Sequence, residues 1–133
     1  MLINKNDKIF IAGSKGMVGS ALTRKFLEYG YENLELTSRN KLDLTNNQLV
    51  ADWFKRKRPD IVILAAAKVG GIYANNTYPA NFLLENLKIQ NNVIENAWKN
   101  DCKRFLFLGS SCIYPKYSSQ PIREDELLKS SLE

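Results

Sequence analysis

KIFIAGSKGMVG, residues 8–19, decides the fold, because a short apolar run passes directly into glycines at 13, 16 and 19 that open a helix. Ile9, Phe10, Ile11 and Ala12 are too few for a helix and carry no polar alternation. They read as a strand buried on both faces, the pattern of a parallel sheet. Gly13 suits the positive φ of a tight turn, Gly16 removes a Cβ where a phosphate would approach the backbone, and Gly19 lets helix and strand pack closely. The helix starts near Met17, and its unpaired N–H groups and positive dipole end would face an anion such as a dinucleotide pyrophosphate. The spacing is G-x-x-G-x-x-G rather than G-x-G-x-x-G, so the reading leans on its strand-turn-helix context.

At 133 residues and 44% apolar composition, the chain has material for one domain with a real core. Nineteen basic residues against fourteen acidic leave +5, which suits an anionic ligand. With no histidine, the chain offers no histidine base and no histidine-built metal site. Cys102 and Cys112, without a signal-like segment, suggest a reduced, cytoplasmic protein. No apolar run approaches the roughly 20 residues that span a bilayer.

The first helix is expected from Met17 to Tyr29, with Met17/Ala21, Val18/Leu22 and Leu22/Phe26 paired on a face toward the sheet and Gly30 as its stop. Residues 33–37 alternate and read as a second strand. NAD-binding folds place an acid at its end, on the ribose 2′-hydroxyl; here Thr37, Ser38 and Arg39 occupy that place. Arg39 with Lys15 would pair with a 2′-phosphate, which points to NADP; the alternative is two solvated surface cations. Leu42, Asp43 and Leu44 read as a stub of strand. Thr45 or Asn46 caps a helix that carries Leu49/Trp53 and Val50/Phe54 and ends at Lys55, Arg56, Lys57 and Arg58 before Pro59. Those cations fit the helix dipole, and no aromatic or glycine-rich partner segment follows to suggest nucleic-acid binding.

A second apolar strand, residues 61–64, runs into Ala65, Ala66 and Ala67, whose small side chains leave room for a flat ligand where the strand order would reverse. After a glycine-containing loop at 68–72, a long helix begins near Pro79 with Phe82, Leu83, Leu87, Val93, Ile94, Ala97 and Trp98 on more than one face. It should pack on the sheet and on a partner subunit. Five asparagines lower its intrinsic propensity, so packing must hold it. A third apolar strand, residues 105–108, delivers Gly109, Ser110, Ser111 and Cys112 to its C-terminal end. There Ser110 could hydrogen-bond a carbonyl under reduction, and a Cys112 thiol of lowered pKa could exchange a proton at the neighbouring carbon. Serines and a cysteine in such a place are also ordinary turn formers and a small thiol.

IAGSKGMVGSA, LAAAKVGGIYANNTYPANF and FLFLGSSCIYPK together resemble the GDP-L-fucose synthases, NADP-dependent 3,5-epimerase-4-reductases of GDP-4-keto-6-deoxy-mannose within the extended short-chain dehydrogenase/reductase family. The resemblance runs along almost the whole chain and accounts for the glycine spacing. It implies that Gly13, Ser14, Lys15, Gly16, Met17, Val18 and Gly19 bind the NADP pyrophosphate, with Lys15 and Arg39 on the 2′-phosphate. It further implies that Leu64, Ala65, Ala66 and Ala67 line the cofactor, that Gly109, Ser110 and Ser111 flank the nicotinamide, and that Ser110 and Cys112 are catalytic. A homodimer through the helix at 79–99 is implied as well. The sequence departs where the family often has His-Arg and this chain has Ser14 and Lys15. The family's Tyr-x-x-x-Lys pair has no match, since Ser118 stands four residues after Tyr114.

The expected fold is therefore an α/β, Rossmann-type, doubly wound parallel sheet over residues 1–133, stopping before its last strands and a substrate domain, and inactive alone. Neither nucleic acid nor membrane is an expected partner. Alternatives are another nucleotide-sugar epimerase or dehydratase, a non-catalytic NADP-binding module, or one half of a split enzyme completed by a second polypeptide.

Overall fold

In the computed structural model, which describes residues 3–132, the apolar runs become strands and the periodic segments between them helices. Met1, Leu2 and Glu133, at the ends of the expected 1–133 unit, lie outside the described residues. β1 (Ile9–Ala12), α1 (Met17–Glu28), β2 (Leu34–Leu36), α2 (Asn47–Lys57) and β3 (Ile61–Leu64) follow in turn. Then come α3 (Ile72–Thr77), α4 (Pro79–Lys99) and β4 (Arg104–Phe107). All strand pairings are parallel, in the order β2-β1-β3-β4. β1 pairs with β2 on one side and β3 on the other, so the order reverses between β1 and β3, where residues 65–67 emerge. A crevice is expected at such a switch point.

The central strands are covered on both faces, which is why their sequences lack polar alternation. On one face Ile9, Ile11, Ile61 and Ile63 meet Leu22 and Phe26 of α1. On the other, Phe10, Ala12, Val62 and Leu64 pack with Val50, Trp53 and Phe54 of α2 and Ile89, Val93 and Ala97 of α4. The Phe10 and Trp53 rings meet at a 39° tilt with 4.2 Å between centroids.

Several expectations change on folding. Met17 and Val18 do not lie on the sheet: Met17 is 87% exposed, because the first turn of α1 overhangs the strand ends and only Leu22 and Phe26 reach the core. Leu49 likewise stays outside the α2 core face. Residues 42–44 form no strand; Asp43 Oδ1 instead accepts from the Thr45 amide and hydroxyl, a turn that competes with sheet pairing. The expected loop before Pro79 contains the short helix α3. The third apolar strand is exposed at all four positions of β4, since burial on both faces needs a further layer and none lies beyond β4 among the described residues. Asn46 is the cap of α2, accepting from the Leu49 amide at 3.1 Å.

The asparagines of α4 explain how a helix of modest propensity is held. Asn92 is buried, its Oδ1 accepting from Asn47 Nδ2 at 3.0 Å and its Nδ2 donating to the Leu44 carbonyl at 2.9 Å. Asn96, also buried, donates to the Asn92 carbonyl at 2.8 Å. These bonds tie α4 to the start of α2 and to the turn at 42–45.

Candidate functional site

The glycine loop is shaped by close backbone approach. Gly13 has φ +89, and a Cβ there would stand 2.8 Å from the backbone of Ala65 and Ala66. A Cβ on Gly19 would lie 2.1 Å from the Gly13 carbonyl oxygen, so that glycine packs α1 against the loop rather than against a strand. Gly16 is different: its φ is −74, and an added Cβ would come only to 3.3 Å of the Gly13 oxygen. It is the N-cap of α1, with no side-chain cap bond and no acid in the first turn, so the dipole end stays open to an anion.

A cavity of about 550 Å³ opens over this loop at the reversal between β1 and β3. Gly13, Lys15, Gly16, Met17 and Val18 line it from α1's side, Arg39 from the end of β2, and Ala65, Ala66 and Ala67 from the end of β3. Nine of the residues expected at the cofactor are thus brought together. Its size falls in the range of small-molecule sites, and cations with glycine backbone at one end and apolar walls at the other suit a nucleotide cofactor.

The remaining expected residues sit elsewhere. Ser14 is buried, and its hydroxyl donates to the Thr37 carbonyl at 3.2 Å, tying the loop to the end of β2 instead of lining the cavity. Gly19 lies beneath the loop and Leu64 belongs to the core. Gly109, Ser110, Ser111 and Cys112 follow β4, outside the cavity lining. There Gly109 turns the chain at φ +63, and Ser110 Oγ accepts from the Cys112 amide at 3.2 Å. Among the described residues the Ser110 O–H itself donates to no partner. Cys112 is exposed, on a single 3₁₀ turn formed by Ser111–Ile113.

Sequence reasoning missed one wall. Leu42, Asp43, Leu44 and Thr45 line the cavity from the turn after β2, and Lys68, Val69, Glu85 and Ile89 close it from β3 and α4. The i, i+4 spacing of Glu85 and Ile89 on a helix next to an alanine-rich strand end could have signalled the last pair. The Thr45 hydrogen bonds hold the Asp43 carboxyl below the usual carboxylate range. Arg39 is not free: its Nη2 donates to Glu85 Oε1 at 3.0 Å, and Lys68 Nζ donates to Glu85 Oε2 at 2.9 Å.

Known proteins share both sequence and arrangement. The chain is 56% identical to GDP-L-fucose synthase 1 of Arabidopsis thaliana over 130 residues and 52% identical to the GDP-L-fucose synthase of Escherichia coli (strain K12) over 127. These alignments take in 98% and 96% of this chain, and the chain spans about 40% of the length of each. Among solved structures, MlghC, a GDP-mannoheptose C4 reductase from Campylobacter jejuni with NADP bound, superposes with a TM-score of 0.92 at 43% identity, covering 98% of this chain and 41% of that one. The model of the NAD dependent epimerase/dehydratase family matches residues 9–132. By sequence, fold and glycine loop together, this chain belongs to the NAD dependent epimerase/dehydratase family.

Proposed function

We propose that this chain is the NADP(H)-binding part of a GDP-L-fucose synthase, a cytoplasmic enzyme that epimerises GDP-4-keto-6-deoxy-mannose at C3 and C5 and reduces its C4 carbonyl. One observation carries the cofactor reading: the cavity over the glycine loop is lined by Lys15, Arg39 and Lys68, and Thr37, Ser38 and Arg39 stand directly after β2 where a carboxylate would receive a ribose 2′-hydroxyl, the lining carboxylates Asp43 and Glu85 coming later in the chain. Relatives named GDP-L-fucose synthase support the substrate. In this reading Gly13, Lys15, Gly16, Met17 and Val18 hold the pyrophosphate, Arg39 the 2′-phosphate, and Ala65, Ala66 and Ala67 the flat rings. When bound, NADPH supplies hydride to a carbonyl carbon. The Ser110 O–H would hydrogen-bond that carbonyl oxygen and stabilise the developing alkoxide, and a proton from water would complete the alcohol. The Cys112 thiol, on the same turn, moves protons at the carbons beside the carbonyl.

The test is titration with NADPH and NADH. NADPH should bind more tightly, and Arg39→Ala should remove most of the difference; equal affinities in the unaltered chain defeat the reading. A second reading, that the chain works only beside a second polypeptide, is favoured by the exposed apolar side chains of β4. A homodimer through α4 is favoured by Leu83, Leu87, Ile94 and Trp98, which lie on one exposed face opposite Asn92 and Asn96.

A further inference from the structure

Two of the cavity's cations share one carboxylate. Arg39 comes from beyond β2, Lys68 from beyond β3, and Glu85 from the second turn of α4. Each Glu85 oxygen takes one partner, Oε1 the Arg39 Nη2 at 3.0 Å and Oε2 the Lys68 Nζ at 2.9 Å. The Glu85 side chain is 18% exposed and rooted in a helix; that of Arg39 is 73% exposed and makes no other hydrogen bond among the described residues. The Lys68 hydrogen bond, followed by the two positive charges, holds the Glu85 carboxyl below its ordinary range, so it is ionised at neutral pH.

We infer that Glu85 is a positioning residue for cofactor selectivity, holding the Arg39 guanidinium at the cavity rim with its remaining N–H donors available to the 2′-phosphate of NADP(H). The inference rests on the NADP-binding reading above. A long exposed arginine loses side-chain freedom when it engages a ligand; tethered by Glu85, it has lost that freedom already in the free chain. Repulsion between the Glu85 carboxylate and the phosphate opposes the effect. Lys68 on the other oxygen offsets part of it, because Arg39, Lys68 and Glu85 together carry net +1, reduced by the Asp43 carboxylate that Arg39 also attracts.

The experiment titrates the whole chain with NADPH and NADH by nicotinamide fluorescence. Glu85→Ala should weaken NADPH binding on the order of five-fold more than NADH binding. Glu85→Gln, whose amide oxygen still accepts from Arg39, should recover most of the NADPH affinity. In an Arg39→Ala background, Glu85→Ala should add nothing. Should Glu85→Ala fail to fold by circular dichroism, Glu85→Asp, with its carboxylate one methylene short, should show the same selective loss. Equal weakening of both nucleotides would mean a merely structural role, unchanged NADPH binding would mean that Glu85 positions nothing, and tighter NADPH binding would mean that it competes with the phosphate; any of these results overturns the inference. If the unaltered chain shows no preference for NADPH, the cofactor reading falls and the inference with it. If that preference exists and depends on Arg39 but not on Glu85, the inference alone falls.

Discussion

The three loop glycines answer to different constraints, and single substitutions should separate them. Gly13→Ala meets both a left-handed φ and Ala65 backbone at 2.8 Å, so strain alone should cost roughly 1–3 kcal/mol, read as a lowered urea midpoint. Gly16→Ala keeps an ordinary φ and meets only the Gly13 carbonyl oxygen, at 3.3 Å, a tight contact that a shift of a few tenths of an ångström relieves, so it should fold with a loss of about 1 kcal/mol, yet bind NADPH more weakly because a methyl then stands at the N-terminus of α1. A Gly16→Ala chain with undiminished NADPH affinity would remove the pyrophosphate from this loop. Ser14 shows the limit of motif reading, since its neighbours line the cavity while its own hydroxyl is spent on Thr37.

At the scale of elements, buried polar groups connect the cavity wall to the core. Asn92→Ala would leave the half-buried Leu44 carbonyl without its partner and release the exposed Asn47 side chain to water, at a cost of about 1–3 kcal/mol by chemical denaturation. It should also weaken nucleotide binding, because residues 42–45 lose their anchor to α4. Across the N-terminal edge of the sheet, Asp60 accepts from the Lys8 amide at 2.8 Å and pairs with Lys103 at 2.8 Å. The Lys103 hydrogen bond, then the Lys8 amide, lowers its carboxyl below the ordinary value. As pH falls from about 4, the unfolded chain therefore binds a proton at Asp60 before the folded chain does, and this contribution to stability is lost. Asp60→Asn should flatten the acid limb of a plot of urea midpoint against pH; an unchanged limb would show that Asp60 contributes nothing to it.

The molecule as a whole leaves two apolar surfaces uncovered among its described residues: β4, with Leu106 and Phe107 about half exposed, and the α4 face carrying Leu83, Leu87, Ile94 and Trp98. A strand edge of this kind pairs readily with other chains. The chain should therefore associate as its concentration rises in sedimentation experiments. Leu106→Lys should suppress open-ended association through β4, whereas Ile94→Asp should dissolve a discrete dimer built on α4. Monomeric behaviour of the unaltered chain would count against both surfaces.

Much of this was legible in residues 8–19, 61–67 and 105–108. A fully apolar four-residue run bounded by turn residues reads as a strand of a parallel sheet, and the close backbone approach at 13 and 19 admits only glycine. That reasoning reached Gly13, Lys15, Gly16 and the alanines because each is contiguous with a strand end. It could not reach Glu85, which meets Arg39 and Lys68 only when α4 folds back across β3, nor show that β4 would stand exposed.

What the sequence determined by itself is local: apolar runs, caps and glycine positions specify strands, helices and the turn between β1 and α1, since each depends on backbone sterics and periodicity within a dozen residues. What only the tertiary structure decided is which side chains from distant segments share the cavity. The Arg39–Glu85 pair spans 46 residues, and no pattern along the chain encodes a contact made by packing layers.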